Sequence, residues 1–92
     1  MGVDPKKVTI VKTCLEEASF KDVKSSQPLN ERFVFNDGRK SWELEFRRAF
    51  MDDTPMDKLK DYMNSKIIPE IRKNPGKKLY VTGAEINISD RD

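Results

Sequence analysis

The chain has no histidine and a single cysteine, Cys14, among its 92 residues. Catalytic triads of the Ser-His or Cys-His kind need an imidazole base, so this chain cannot assemble one from its own side chains. A structural zinc site needs several Cys or His ligands, which are equally lacking. One cysteine forms no intramolecular disulfide, so packing alone must hold the fold. The sequence therefore predicts a domain without a cofactor, a metal or a catalytic site.

Long hydrophobic runs are also missing, since no apolar stretch approaches the roughly 18 residues that a membrane-spanning helix needs. Residues 1–6, Met-Gly-Val-Asp-Pro-Lys, hold no signal-peptide core. These two absences predict a protein of an intracellular, reducing compartment, cytoplasmic or nuclear, with no membrane partner.

Charge of either sign is spread evenly along the chain. It carries 18 Lys and Arg against 16 Asp and Glu, a net charge of +2, and no segment is strongly basic. Proteins that bind phosphate backbones usually gather Lys and Arg on one face or tail. The composition weakens a nucleic-acid role but leaves it open, because folding can still segregate the charges. The length and the periodic apolar clusters predict one domain over residues 1–92, ordered from about residue 5 to residue 88.

Residues 31–50 hold the densest structural pattern, with the single Trp and four of the five Phe. Asp37-Gly38 lies between two runs that alternate apolar and polar residues, which is typical of a β-hairpin with a type I′ turn. A two-residue turn pairs Asn36 with Arg39 and places Phe33 opposite Trp42. The apolar residues of both strands then share one face, which we expect to be buried: Phe33, Phe35, Trp42, Leu44 and Phe46.

The segments before the hairpin are less clear. Asp4-Pro5 is a good helix start, and apolar residues recur at helical spacing as far as Ala18. The β-branched run at residues 8–11 favours a strand instead, but the longer helical period favours a helix over residues 4–19. Residues 24–30 are polar and predict a mobile loop after a short strand.

A second helix is predicted after the hairpin, with Thr54 as its N-cap and Pro55 as its first residue. Pro69 should kink or end this helix near Ile68, because proline removes a backbone donor and clashes one turn back. Residues 78–82 then predict a strand, and residues 89–92 predict a mobile tail. The whole pattern predicts an α+β fold, an antiparallel sheet of three or four strands with one or two helices packed on its apolar face.

Paired carboxylates are the only catalytic or metal-binding pattern that the chain offers. Glu43 and Glu45 lie two apart on one strand and project from the same face, with Asp52 and Asp53 downstream. Such a group could bind a divalent cation or act in acid–base chemistry. A solvated strand face is the plainer interpretation, and a carboxylate-dependent metal enzyme ranks third among the hypotheses. Cys14, on an apolar helical stripe, is expected to be a buried small hydrophobe.

Basic pairs near predicted turns support a nucleic-acid-binding module as the second hypothesis. A hairpin tip with two cations can enter a groove or follow phosphates. Interleaved acidic residues argue against this hypothesis. Its candidate residues are Arg39, Lys40, Arg47, Arg48, Arg72, Lys73, Lys77 and Lys78.

Protein–protein recognition is the leading hypothesis. A sheet this small has edges that must be protected or used, and Phe50, Met51 and Met56 cluster where the hairpin ends. Methionine-rich patches suit adaptable binding surfaces, although the same three residues could close the core. The sequence thus predicts a non-catalytic binding or regulatory protein whose partner is another protein or a second copy of itself, in a homodimer.

Overall fold

The part of the chain that the structure describes contains a five-stranded sheet, and its helices cover one face of that sheet. The computed structural model describes residues 5–26, 31–83 and 85–90. The strands are β1 (Lys21–Ser26), β2 (Glu31–Asn36), β3 (Ser41–Phe46), β4 (Lys77–Val81) and β5 (Ile86–Asp90). The helices are α1 (Pro5–Glu17), α2 (Arg48–Asp53), α3 (Met56–Tyr62) and α4 (Ile68–Lys73), with a π-helical segment (Met63–Ile67) between the last two. None of the helices in these described ranges is long and apolar enough to cross a membrane.

The strands lie in the order in which they occur along the chain, from β1 at one edge to β5 at the other. All neighbours are antiparallel except β3 and β4, which are parallel. The α+β class is confirmed, but the prediction of a purely antiparallel sheet of three or four strands is wrong. The helices between β3 and β4 return the chain to the end of the sheet where β3 begins, and a helical crossover of this kind makes its two strands parallel.

The hairpin of β2 and β3 forms where expected, in a different register. Asn36 pairs with Ser41 and Phe33 with Leu44, so the register is shifted by two residues from the predicted one. The Asp37 N–H donates to the Lys40 carbonyl at 3.1 Å, so the two-residue loop is Gly38-Arg39 instead of Asp37-Gly38. The Asp37 carboxylate also accepts hydrogen bonds from the backbone N–H groups of Arg39 and Lys40, each at 2.8 Å. A shift of two residues keeps every side chain on its face. The predicted buried face is therefore confirmed: Phe33, Phe35, Trp42, Leu44 and Phe46 are all buried.

The first helix forms where expected, and strands β1 and β5 extend into segments that the sequence predicted as mobile. The helix predicted for residues 4–19 is confirmed as α1, although Asp4, its proposed cap, lies outside the described residues. Strand β1 continues to Ser26, so residues 24–26 are paired with β2 rather than part of a loop. Ser89 and Asp90 belong to β5 rather than to a tail. Residues 27–30, 91 and 92 lie outside the described ranges.

The chain makes one helix more than expected after the hairpin. Arg48–Asp53 forms the short helix α2, and Thr54 closes it, because both the N–H and the hydroxyl of Thr54 donate to the Phe50 carbonyl. Thr54 is therefore not the N-cap of the next helix, as the sequence predicted. Pro55 takes that position, and its carbonyl accepts the N–H of Leu59 at 2.8 Å.

Helices α3 and α4 are joined without a break, and we call the whole of residues 56–73 the long helix. Pro69 does not end this helix near Ile68, and a π-helical segment lies just before it. Proline offers no N–H to the carbonyl four residues earlier, and the N–H of Ile68 donates to Met63, five residues back. Such a wide turn absorbs the proline without ending the helix. The apolar stripe continues through it to the buried Ile71, and Asn74 then ends the helix.

Helix α1 ends in a left-handed residue that is not glycine. The Phe20 N–H donates to Leu15 and the Ser19 N–H donates to Glu16, the pair of bonds that defines a Schellman cap. This cap places Ser19 at φ 75°, where a side chain is strained.

Replacement of this serine tests that strain. Ser19→Gly is expected to raise the free energy of unfolding by about 0.5–1 kcal/mol, because glycine adopts positive φ without the steric cost. Urea denaturation followed by circular dichroism measures the change. Ser19→Ala is the control and should give no gain, since alanine keeps the Cβ; an equal gain from both variants would show that strain is not the cause.

Candidate functional site

Strand β5 forms one edge of the sheet and carries the one large hydrophobic side chain that is exposed in the described part of the chain. Ile88 is 39 % exposed, and Ile86 on the same face is half-buried. Both side chains lie on the helix side of the sheet, because they pair with the buried Leu79 and Val81. The helices therefore leave an apolar margin uncovered along β5.

The backbone of β5 also directs N–H and C=O groups away from the sheet at this edge. The N–H of Thr82 donates to the carbonyl of Glu85 at 3.2 Å, which makes these two residues a hydrogen-bonded pair. Such pairs alternate along an antiparallel ladder, so Asn87 also bonds inward to β4. The N–H and C=O groups of Ile86, Ile88 and Asp90 therefore face outward.

The opposite edge of the sheet, β1, has features that hinder pairing with another strand. Its pairing with β2 shifts register between Lys21 and Lys24, and Asp22 within that shift has φ 53°. Both lysines are exposed. Bulges and lysines are the usual means by which natural sheets prevent an edge from pairing with another chain. The described strand β5, with its sequence Ile-Asn-Ile-Ser-Asp, has neither.

The open face of the sheet carries a network of four charges. Arg32 lies 3.2 Å from the carboxylate of Glu43 and 3.5 Å from that of Glu45. Lys78 lies 3.3 and 3.4 Å from the same two carboxylates. The prediction that Glu43 and Glu45 share a face is confirmed, and Arg32 and Lys78 each lie within 3.5 Å of both carboxylates. Within the described residues, no group of three or more His, Cys, Asp or Glu could hold a metal ion.

Burial and the neighbouring charges shift the pKa of Lys78 in opposite directions. Partial burial disfavours the ammonium, but hydrogen bonds and attraction from Glu43 and Glu45 outweigh it and raise the pKa of Lys78 above its ordinary value of 10.5. The network joins β2, β3 and β4 through their solvent-facing side chains. Its two positive and two negative charges are directed at one another, so the network carries no net charge.

Five of the eight predicted nucleic-acid-binding cations converge at the hairpin end of the sheet. Strand β4 begins beside the start of β3, and the position of a Cβ on Gly76 would lie 3.8 Å from the Lys40 side chain. The cations of this end, which we call the hairpin-end cluster, are Arg39, Lys40, Arg72, Lys73 and Lys77. The other three are elsewhere: Arg47 and Arg48 follow the far end of β3, and Lys78 belongs to the charge network.

Acidic residues lie within the hairpin-end cluster. Lys77 pairs with Asp90, and Lys73 lies 3.8 Å from Glu70. A cleft of about 360 Å³ opens between the hairpin and the end of α1, with Asp37, Lys40 and Arg72 among its lining residues. The guanidinium of Arg72 donates to the Ala18 carbonyl at 3.2 Å, so it already makes a hydrogen bond at the C-terminal end of α1. The cluster is thus a mixed surface rather than a purely basic one.

The three residues predicted as a protein-binding patch lie largely inside the molecule. Met51 is fully buried, while Phe50 and Met56 are half-buried. The Phe50 ring stacks on Phe46 with centroids 5.8 Å apart and contacts Tyr62 at 5.3 Å. Phe50 and Met51 therefore help to close the core, as the alternative interpretation of the sequence had it.

Cys14 and Glu31 also place polar atoms in the interior. Cys14 is 2 % exposed, and burial raises the pKa of its thiol, as expected for a structural cysteine. Glu31 is 1 % exposed on the apolar face, where the alternation of β2 places it. The sequence interpretation missed the burial of Glu31, although the alternation of β2 indicated its face, and it missed the exposure of Ile88, which lies in a strand that the sequence did not predict.

Comparisons of the chain with protein-family models, with curated proteins and with solved structures found no match.

The charge network predicts a pH-dependent stability. Lys78→Met should lower the free energy of unfolding by about 1 kcal/mol near neutral pH. The loss is no larger because solvent partly screens the ion pairs of Lys78 with Glu43 and Glu45. Because the folded pKa of Lys78 is raised, this contribution is complete below pH 10.5 and is lost as the pH rises through the folded pKa. Denaturation of the unaltered chain and of Lys78→Met, at pH 8 and near pH 11, measures the difference between their free energies of unfolding.

The matched control for this experiment is Lys73→Met, which removes the same charge from an exposed pair in α4. Its effect should be close to zero at both pH values. A loss at Lys78 that is no larger than the loss at Lys73, or one that persists unchanged above the folded pKa, would contradict a stabilising role for the network.

Proposed function

We propose that this chain is a non-catalytic binding or regulatory protein that acts through protein–protein contacts. In this proposal the edge of β5 receives an extended segment of the partner, which adds a strand to the sheet. The observation that supports it best is the exposed Ile88 beside outward-facing backbone groups, on an edge with no bulge or lysine in its described residues.

The backbone groups and the side chains of β5 would both contribute to binding at this edge. Main-chain hydrogen bonds supply affinity in strand addition, and side-chain contacts supply specificity. Ile88 offers an apolar contact on the helix side, while Asn87 and Ser89 offer polar contacts on the open side. Backbone groups and an apolar residue left at a sheet edge attract extended chains in general, so the partner's segment should be a β-strand with apolar residues at alternate positions.

Co-purification from the cell of origin, with and without nuclease, tests this proposal. The tagged chain should retain a protein partner after nuclease treatment. Ile88→Pro should reduce capture by about tenfold or more, which corresponds to about 1.4 kcal/mol, because it removes one outward donor and the apolar side chain. Pro at an outward-facing edge position leaves the β4–β5 ladder intact.

Ile88→Val is the matched control, since it keeps the N–H group and a β-branched apolar side chain. It should retain most of the capture. Thermal unfolding of each variant checks that β5 remains docked. Capture that is equally strong with Ile88→Pro would overturn the use of this edge, and capture that disappears on nuclease treatment would overturn a direct protein contact.

A second candidate is a nucleic-acid-binding module, and the convergence of the hairpin-end cluster is the observation that favours it. Cations that lie far apart in the sequence, from Arg39 to Lys77, come together at one end of the sheet. Arg39 and Lys40 are exposed at the turn. The acidic neighbours Asp37, Glu70 and Asp90 weaken this candidate relative to the first.

Salt titration tests the second candidate. If the hairpin tip contacts phosphates, replacing both Arg39 and Lys40 with Ala should weaken binding to duplex DNA and lower the slope of log K against log salt by about 2. The control replaces Arg47 and Lys58 with Ala, which removes the same charge away from the hairpin end. Undiminished affinity after the first replacement, or an equal loss after the second, would remove the hairpin tip as the site.

A further inference from the structure

The outward edge of β5 has a spacing of residues that suits antiparallel pairing with an identical strand. Its outward-facing residues are Ile86, Ile88 and Asp90, which are evenly spaced about Ile88. Antiparallel pairing across a two-fold axis beside Ile88 would set this residue opposite its own counterpart and Ile86 opposite the second copy's Asp90. Every outward N–H and C=O group of these three residues would then meet a partner in an isologous contact.

The side chains of β5 suit this register. On the helix side, the exposed Ile88 would contact its counterpart, so the apolar margin would be covered by an identical margin. On the open side, Asn87 would lie opposite Ser89, where an amide and a hydroxyl can form a hydrogen bond. Asp90 carries the one charge in the described strand, and in this register it faces Ile86 rather than another carboxylate. Like charges placed directly opposite would destabilise the pair, and this arrangement avoids them.

The other edge of the sheet limits such an assembly to two chains. The register shift and the exposed lysines of β1 make that edge unsuitable for pairing. A chain with one available edge forms a closed pair rather than an open fibre.

We infer that the partner of the β5 edge is a second copy of this chain, joined β5 to β5 in an antiparallel, two-fold symmetric pair with Ile88 at its centre. This inference rests on the proposed function, since it identifies the occupant of the same edge. It gives a continuous sheet of ten strands, five from each copy. The contact is one short strand on each side, well below the roughly 1,200 Å² of a standard stable interface, so a micromolar dissociation constant is expected.

Disulfide trapping of the purified chain tests both the pairing and its register. Residues of a hydrogen-bonded antiparallel pair have Cα atoms about 5.5 Å apart, within the range that a disulfide spans. Ile88→Cys should therefore give a covalent dimer readily with oxidised glutathione. Asn87→Cys is the matched control: its counterpart would lie on a diagonal, about 8 Å away, which a disulfide does not span without backbone movement. The unaltered chain shows any contribution from Cys14, which is common to all and buried.

Sedimentation of the unaltered chain over micromolar to millimolar concentration gives the second measurement. A reversible dimer that Ile88→Pro abolishes and Ile88→Val preserves, together with preferential trapping through Ile88→Cys, supports the inference. A chain that stays monomeric throughout, or traps equally well through Asn87→Cys, overturns it. In that case, capture of a different protein that still depends on Ile88 leaves the proposed function standing. Loss of that dependence as well overturns both.

Discussion

The parallel alignment of β4 beside β3 is the constraint on which the rest of this structure depends. It requires the chain to return along the helical face, so it places the long helix over the aromatic side of the hairpin. It is held from both sides of the sheet. On the helix side, Leu44 pairs with Leu79 inside the core, and on the open side Lys78 lies between Glu43 and Glu45. Once β4 is fixed, β5 can pair only on its far side, where the helices no longer reach.

Local chemistry explains why the sequence predicted some elements and not others. The faces of the hairpin follow from alternation alone, and a register error of two residues does not disturb them. The turn itself depended on a side chain, because the Asp37 carboxylate binds two backbone N–H groups. The fifth strand and the parallel pairing are set by contacts between distant segments. No local pattern carries that information, since β5 is short, polar and defined by its pairing with β4.

The candidate surfaces also divide into features set by local sequence and features set by contacts between distant segments. Convergence of Arg39 and Lys40 with Arg72 could be known only once the crossover had placed the end of α4 beside the hairpin turn. Conversely, Phe50 and Met51 looked like a surface patch in the sequence because α2, which folds them under the sheet end, has no strong cap or apolar period of its own. Ile88 was visible as an apolar residue, but its exposure depends on how far the helices extend across the sheet.

Trp42 gives this architecture an internal optical reporter. It is the single tryptophan, it is 3 % exposed, and its indole N–H donates to the Asn74 carbonyl at 2.9 Å, immediately before the chain enters β4. The indole therefore joins the hairpin to the end of the crossover, between segments that are remote in sequence. Its fluorescence emission registers the docking of the crossover rather than the formation of any single helix or hairpin. A chain with its hairpin formed and its long helix undocked would have a solvated indole, and its emission would be shifted to the red.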